Sequence, residues 1–163
     1  MAGNEEGLPE VYVQPGESHL IAEPAVMRTV LGSCVGVTFW APRLGLSALC
    51  HPMLPVFPVK SVGMSRAQAC RYVDFAIRDL VRQFDQMGAR RAEVQVKLFG
   101  GGDVLPALKA SARGTVGQLN RQTALRVLEE EGYTIAAQSL GGTCGINILF
   151  HTGTGEVLLR RLC

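Results

Sequence analysis

Cys34 and His51 are the two residues of this sequence best suited to act together in catalysis. Cys34 ends a tight Gly-Ser-Cys corner that begins with Gly32 and Ser33, and His51 ends the second apolar segment after it. A cysteine nucleophile needs a base that removes its proton, and histidine is the usual base. The two residues therefore predict a catalytic Cys–His pair.

The segments around this pair predict two strands joined by a turn. Val35, Val37 and Phe39 alternate with smaller or more polar residues, which is the period of a strand. Residues 41–45 form a Pro- and Gly-containing turn, and residues 46–50 form the partner strand that leads to His51. Such a pair of strands would bring Cys34 and His51 side by side.

A helix is predicted to begin at the capping box of Ser65 and Gln68 and to end at Gly88. Its apolar residues recur at steps of three and four, which predicts one buried face. That stripe consists of Cys70, Val73, Ile77, Leu80, Phe84 and Met87. A second helix is predicted over residues 119–131, with Leu125 and Leu128 facing inward and Gly132 as its stop.

The remaining segments mostly have the character of strands. They cover residues 11–13, 20–22, 94–98, 134–140, 146–151 and 156–162, while residues 103–115 fit either a short helix or a loop. The glycine run 100–102 predicts a tight turn beside the active site. This order predicts one α/β or α+β domain over residues 11–163, a mixed sheet with helices packed on it, after a loose tail at residues 1–10.

Composition excludes several classes of function. The chain has 163 residues, an apolar fraction of 47% and a net charge of +2. Its basic residues do not cluster, so neither a nucleic-acid footprint nor an anionic membrane surface is expected. The polar N-terminus and the odd count of 5 Cys predict a cytoplasmic protein without membrane insertion. No oligomerisation stripe is visible, so a monomer is expected.

No metal or other cofactor is expected. The sequence has no C-x-x-C motif, and His19, His51 and His151 are far apart. No G-K-[ST] follows the glycine run, which argues against a phosphate cradle. Cys34 alone would more often be a small buried hydrophobe, and His51 alone a structural histidine. Packing or surface exposure accounts for Cys50, Cys70, Cys144 and Cys163, and His151 is expected on a solvated strand face.

Several motifs together resemble the CheD family, the chemoreceptor glutamine deamidases of bacterial chemotaxis. In chain order they are TVLGSCVGV, HPMLP, VKLFGGG, GQLN, a GG turn and ILFHTGTGEVLLRRL. The resemblance covers residues 11–162. It implies a cytoplasmic domain whose fold is similar to that of the catalytic domain of the cytotoxic necrotizing factor. It also implies an activity that converts glutamines of chemoreceptor cytoplasmic domains to glutamates. It also implies some methylesterase activity and, in some species, a CheC-type phosphatase as a partner.

The family resemblance assigns the nucleophile to Cys34, the base to His51 and a third residue to Thr29. In the expected mechanism His51 holds Cys34 as a thiolate or takes its proton, and the sulfur attacks the glutamine amide carbon. Backbone N–H groups from Gly32 to Cys34, helped by Ser33, would stabilise the oxyanion. Thr29 would fix the imidazole tautomer.

Two segments depart from the family pattern. The turn at residues 41–42 lacks the acidic residue that the family often carries, and residues 139–144 lack its Asp and Arg. These changes bear on the choice of target or partner more than on the chemistry. Two alternatives stay open: an adaptor that binds and regulates a CheC-type phosphatase with little turnover of its own, and a general cysteine peptidase.

Overall fold

Two mixed β-sheets form the frame of the molecule. The computed structural model describes residues 7–105 and 111–163. The strands of this part of the chain are β1 (Glu10–Tyr12), β2 (Ser18–Ile21), β3 (Val26–Leu31), β4 (Val35–Ala41), β5 (Leu46–Cys50), β6 (Gln95–Gly100), β7 (Ile135–Leu140), β8 (Gly145–His151) and β9 (Glu156–Leu162). Its α-helices are α1 (Arg66–Ala69), α2 (Val73–Gln86) and α3 (Val116–Glu130). None of the described helices is long and apolar enough to cross a membrane.

The smaller sheet has the order β1-β3-β8-β9, and the larger sheet has the order β2-β5-β4-β6-β7. Each contains one parallel pair, β1 with β3 and β6 with β7, and is otherwise antiparallel. The predicted pair of strands before His51 is confirmed as β4 and β5, joined by a 3-10 turn over Pro42–Leu44. The single mixed sheet expected from the sequence is thus divided into two.

The larger sheet is buried on both faces, which gives three layers. Ala48 and Cys50 of β5 pack into the cluster that contains α2 and α3, where Phe39 and Phe84 lie 5.6 Å apart between ring centroids. Leu49 of the same strand points the other way and packs with residues of β3 and β8. The side chains of a strand alternate between faces, so one strand serves both cores. The layers are helices, five-stranded sheet and four-stranded sheet.

The first predicted helix is broken. Ser65 and Gln68 form the expected capping box, but α1 ends at Ala69 and α2 begins at Val73. In the break, the carbonyl oxygen of Arg71 accepts hydrogen bonds from the N–H groups of Met53 and Leu54 at 2.8 and 3.0 Å. A continuous helix would use that carbonyl internally, so the contact with the segment after His51 interrupts it.

Other expectations need correction. Met87 is 50% exposed and is not part of the core stripe, while His151 is only 8% exposed and does not lie on a solvated face. Cys144 and Cys163 form a disulfide with Cα atoms 5.3 Å apart, so they are neither packed free thiols nor merely exposed residues, as the sequence had predicted.

Helix α3 begins at Val116, three residues earlier than predicted, because Thr115 caps it by accepting the Gln118 N–H. Parts of the predicted tail and of the segment 103–115 lie outside the described residues, namely 1–6 and 106–110.

Candidate active site

A chain of two hydrogen bonds holds the imidazole of His51. The Nδ1 atom of His51 lies 2.6 Å from the Oγ1 atom of Thr29, and that hydroxyl donates to the Val13 carbonyl oxygen at 2.6 Å. A hydroxyl has one hydrogen, and a carbonyl oxygen can only accept. Because the Thr29 hydrogen is directed to Val13, the His51 Nδ1 must carry its own hydrogen and donate it to Thr29. The Nε2 atom of His51 is then unprotonated and able to act as a base.

The backbone of His51 is held from the other side by the turn before β2. Its N–H donates to the Glu17 carbonyl at 2.9 Å, and its carbonyl accepts the Gly16 N–H at 2.7 Å. The residue is 1% exposed, and its Nε2 atom has no hydrogen-bond partner among the described residues. The ring is therefore fixed in place while its basic nitrogen stays uncommitted.

Cys34 lies at the same end of the β4–β5 pair as His51. Val37 is opposite Cys50 in this pair, and the Val35 N–H donates to the Pro52 carbonyl at 3.3 Å, which continues the same antiparallel register. Cys34 is a free cysteine and is only partly exposed. The register thus places Cys34 and His51 at the same end of this strand pair, and the hydrogen bond to Nδ1 places Thr29 beside the histidine.

The glycine run at the end of β6 forms one wall of the site, as its sequence predicts. The Gly101 N–H donates to the Cys34 carbonyl at 2.8 Å, and the Gly102 N–H donates to the Gly32 carbonyl at 2.9 Å. Gly100 has a φ of +96°, and a Cβ there would overlap the Cys34 carbonyl oxygen. Only glycine permits both this backbone angle and this close approach.

These carbonyl contacts also orient the N–H groups around Cys34. All described peptide bonds are trans, so each N–H points opposite to the carbonyl of the same peptide unit. The Gly32 carbonyl faces Gly102, which turns the Ser33 N–H away from the glycine wall. The Ser33 carbonyl accepts from Asn120, which turns the Cys34 N–H away from helix α3.

Burial leaves both members of the pair uncharged at neutral pH. It raises the pKa of the Cys34 thiol and lowers the pKa of His51 to about 4, although the Val13 carbonyl and the Glu17 charge favour the protonated imidazole. Removing a charge-bearing group from water disfavours its charged form, which explains both directions. Burial therefore favours a thiol and a neutral imidazole over a preformed thiolate.

Asn120 is the functional candidate that sequence reasoning missed. It lies one turn into α3, is fully buried, and donates from Nδ2 to the carbonyl oxygens of Ser33 and Met53, both at 2.9 Å. The available signal was the asparagine of the GQLN motif, a polar residue on the inward face of a helix. The predicted helix began at Leu119, so the inward face was assigned from Leu125 and Leu128 and Asn120 was not considered.

No group of three or more His, Cys, Asp or Glu side chains within residues 7–105 and 111–163 is arranged to hold a metal ion. Thr29, His51 and Asn120 contribute side-chain polar contacts at the site. What the arrangement supplies is a thiol, a base in a defined tautomer, and backbone donors beside the sulfur. This set suits nucleophilic attack on an acyl carbon.

Comparisons with known proteins identify the family. Residues 53–161 match the family model described as CheD chemotactic sensory transduction. A protein of Geobacter sulfurreducens named "Probable chemoreceptor glutamine deamidase CheD 2" is 43% identical over 99% of this chain and 96% of its own length. A protein of Maridesulfovibrio salexigens named "Probable chemoreceptor glutamine deamidase CheD" is 34% identical over 99% of this chain and 97% of its own length.

Solved structures are more distant. Bacillus licheniformis hypothetical protein YfiH aligns with a TM-score of 0.45 and 14% identity over 76% of this chain and 50% of its own. YlmD from Geobacillus stearothermophilus aligns with a TM-score of 0.41 and 13% identity over 81% of this chain and 60% of its own.

Proposed function

The chain belongs to the CheD family, and from this premise we propose that it is an enzyme that hydrolyses glutamine side chains of chemoreceptors to glutamates. Its relatives over nearly the whole length carry the name chemoreceptor glutamine deamidase. The family-model match begins at residue 53, after both members of the Cys–His pair. The observation that carries the proposal is therefore the hydrogen-bonded chain from His51 through Thr29 to Val13, which leaves the His51 Nε2 atom free at the end of the strand pair where Cys34 lies.

In the first half of the reaction His51 acts as a general base and then as a general acid. Nε2 takes the Cys34 proton as the sulfur forms a bond to the amide carbon, and the carbonyl π electrons move to oxygen. The imidazolium then gives its proton to the amide nitrogen, the C–N bond breaks, and ammonia leaves. A thioester between Cys34 and the former glutamine remains.

In the second half His51 removes a proton from water as the water attacks the thioester carbon. The C–S bond breaks, the sulfur regains a proton from His51, and glutamate is released. The positive charge on the imidazole lasts only while the tetrahedral intermediate exists. Thr29 supports it throughout by accepting from Nδ1–H, in the role that an acidic or amide side chain fills in other triads.

The oxyanion is stabilised by backbone N–H groups of the corner formed by Gly32, Ser33 and Cys34. The Ser33 and Cys34 N–H groups point away from the glycine wall and from α3, so those two contacts do not consume them. Removing one such donor in other enzymes costs about 10²–10³ in rate. The same acyl chemistry would hydrolyse a glutamate methyl ester and release methanol, which is the methylesterase activity we propose beside deamidation.

The substrate we propose is the cytoplasmic domain of a chemoreceptor, which places the reaction in the cytoplasm. The protein acts as a monomer in this proposal. A CheC-type phosphatase is the second proposed partner, as the family resemblance implies. Such a partner bound over the site would limit access to Cys34.

The test is the intact mass of a purified receptor cytoplasmic fragment after incubation with the wild-type protein or with Cys34→Ala. Each deamidation raises the mass by about one unit because the NH₂ group of the amide is replaced by the OH group of the acid. We expect an increase with wild type and none with the variant, and peptide mapping then locates the glutamines. An unchanged mass across several receptors would contradict the deamidase and favour the adaptor, whereas cleaved peptide bonds would favour the peptidase.

A further inference from the structure

Helix α3 approaches the site closely enough for one side chain to reach two loops. Gly117 lies in its first turn, and a Cβ at this position would overlap the Gly102 carbonyl oxygen. The Arg121 Nη1 atom donates to the Gly101 carbonyl at 2.7 Å from the next turn. Between them, Asn120 is directed inward, where it is fully buried.

Asn120 joins the loop of the nucleophile to the loop of the base. Its Nδ2 atom donates to the carbonyl of Ser33, the residue immediately before Cys34, and to the carbonyl of Met53, two residues after His51. Both bonds measure 2.9 Å. A carboxamide NH₂ group has two hydrogens at a fixed angle in one plane. The bridge therefore fixes the position of one carbonyl oxygen relative to the other.

This arrangement is poor for stability alone. The Oδ1 atom of Asn120 is buried and has no hydrogen-bond partner among the described residues. Burying a polar atom without a partner opposes folding, so the unpaired Oδ1 offsets part of what the two donated hydrogen bonds contribute. Side chains that break such a local rule tend to belong to functional sites.

We propose that Asn120 is a positioning residue that sets the separation between the Cys34 sulfur and the His51 imidazole by bridging their two loops. It does not touch the reacting atoms. The assignment rests on the proposed Cys–His chemistry but does not depend on which substrate is deamidated. Loss of the bridge lets the loops move apart, so proton transfer from sulfur to Nε2 becomes slower.

The test is the alkylation rate of Cys34 by iodoacetamide from neutral to alkaline pH, followed by mass spectrometry of the Cys34 peptide. At neutral pH the thiol needs His51 to remove its proton, whereas at alkaline pH the thiolate forms without help. Asn120→Ala is expected to react about tenfold more slowly at neutral pH, because it loses both hydrogen bonds that hold the two loops at their separation. It is expected to match wild type once the thiol is fully ionised.

Two further variants sharpen the test. Asn120→Asp keeps the size of the side chain, but a protonated carboxyl group donates one hydrogen bond and an ionised one donates none, so its neutral-pH rate should fall below that of wild type. Val127→Ala is the control for stability, since Val127 is fully buried on the same helix but packs in the core with the sheet. It should lower the unfolding midpoint and leave the alkylation rate at wild-type values.

Several outcomes would overturn the proposal. A loss by the same factor at every pH for Asn120→Ala would indicate altered access to the sulfur. A wild-type rate for Asn120→Ala throughout would show that the bridge is not used, and a wild-type rate for Asn120→Asp would show that two donors are not needed. If His51→Ala reacted as fast as wild type at neutral pH, the pair that Asn120 is said to position would be absent. Failure of receptor deamidation alone would instead leave these alkylation rates unchanged.

Discussion

The Oγ1 atom of Thr29 lies 2.6 Å from the Nδ1 atom of His51, although the two residues are positioned by different sheets. Thr29 is on β3 of the four-stranded sheet, and His51 directly follows β5 of the five-stranded sheet. The bond is fully buried and continues to the Val13 carbonyl. The orientation of the proposed base therefore depends on how the two sheets pack.

Thr29→Val is expected to lower the deamidation rate by about 10- to 100-fold, because an unsatisfied buried N–H costs about 1–3 kcal/mol. Valine has nearly the same shape but cannot accept the Nδ1 hydrogen. Thr29→Ser is the matched control, since it keeps the hydroxyl and should retain most of the activity. Steady-state rates on a receptor fragment would measure both. Equal rates for the two variants would show that the hydroxyl is not used.

Stability is expected to fall as the pH drops from about 6.5 towards about 4, through His51. Its folded-state pKa of about 4 is below the ordinary value of 6.5, so the unfolded chain binds the proton first. Stability from this group is complete above 6.5 and is lost by up to about 3 kcal/mol as the pH approaches the folded pKa. Urea unfolding of wild type and His51→Gln across this range measures the effect. A wild-type profile parallel to that of the variant would contradict it.

Gly117→Ala is expected to destabilise the protein by about 1–3 kcal/mol, because the added methyl group would push α3 away from the Gly102 carbonyl. The same displacement should lower activity through Asn120. Gly153→Ala is the control, since a Cβ there has its nearest neighbour at 3.9 Å and the φ angle is not positive. Chemical denaturation compares the two. A Gly117→Ala protein as stable as the control would show that the helix is not held at this distance.

Reductant is expected to destabilise the wild-type protein by about 3 kcal/mol, because the Cys144–Cys163 disulfide closes a loop with a sequence separation of 19. Cys163 is exposed, which makes the bond accessible to a dithiol. Cys163→Ser should show the lower stability without reductant and no further change with it. Thermal unfolding with and without dithiothreitol tests this. Identical midpoints for wild type in both conditions would mean that the bond does not stabilise the fold.

The sequence predicted the features that depend on near neighbours. The alternation around Val37, the turn ending at Gly45 and the capping box of Ser65 all involve residues a few positions apart, and each is confirmed. The resemblance to a known family placed Thr29 near the site, which periodicity alone could not do.

The features that the sequence did not reveal depend on distant contacts. The break between α1 and α2 arises because the N–H groups of Met53 and Leu54 donate to the Arg71 carbonyl. Nothing in the sequence around Arg71 predicts this contact. The division into two sheets reflects the return of β8 and β9 to β3 from the far end of the chain. Asn120 and the Cys144–Cys163 bond likewise join segments whose proximity only the tertiary structure provides.

The corner at Gly32–Cys34 is where the chain passes from one sheet to the other, since β3 and β4 lie in different sheets. The four-stranded sheet pairs β3 with β8, which is separated from it by most of the chain, and such long-range pairing is slow during folding. Because Thr29 lies on β3, the hydrogen bond that orients the proposed base depends on the same sheet as this distant pairing. We therefore expect the site to be complete only once the strands of both sheets have formed.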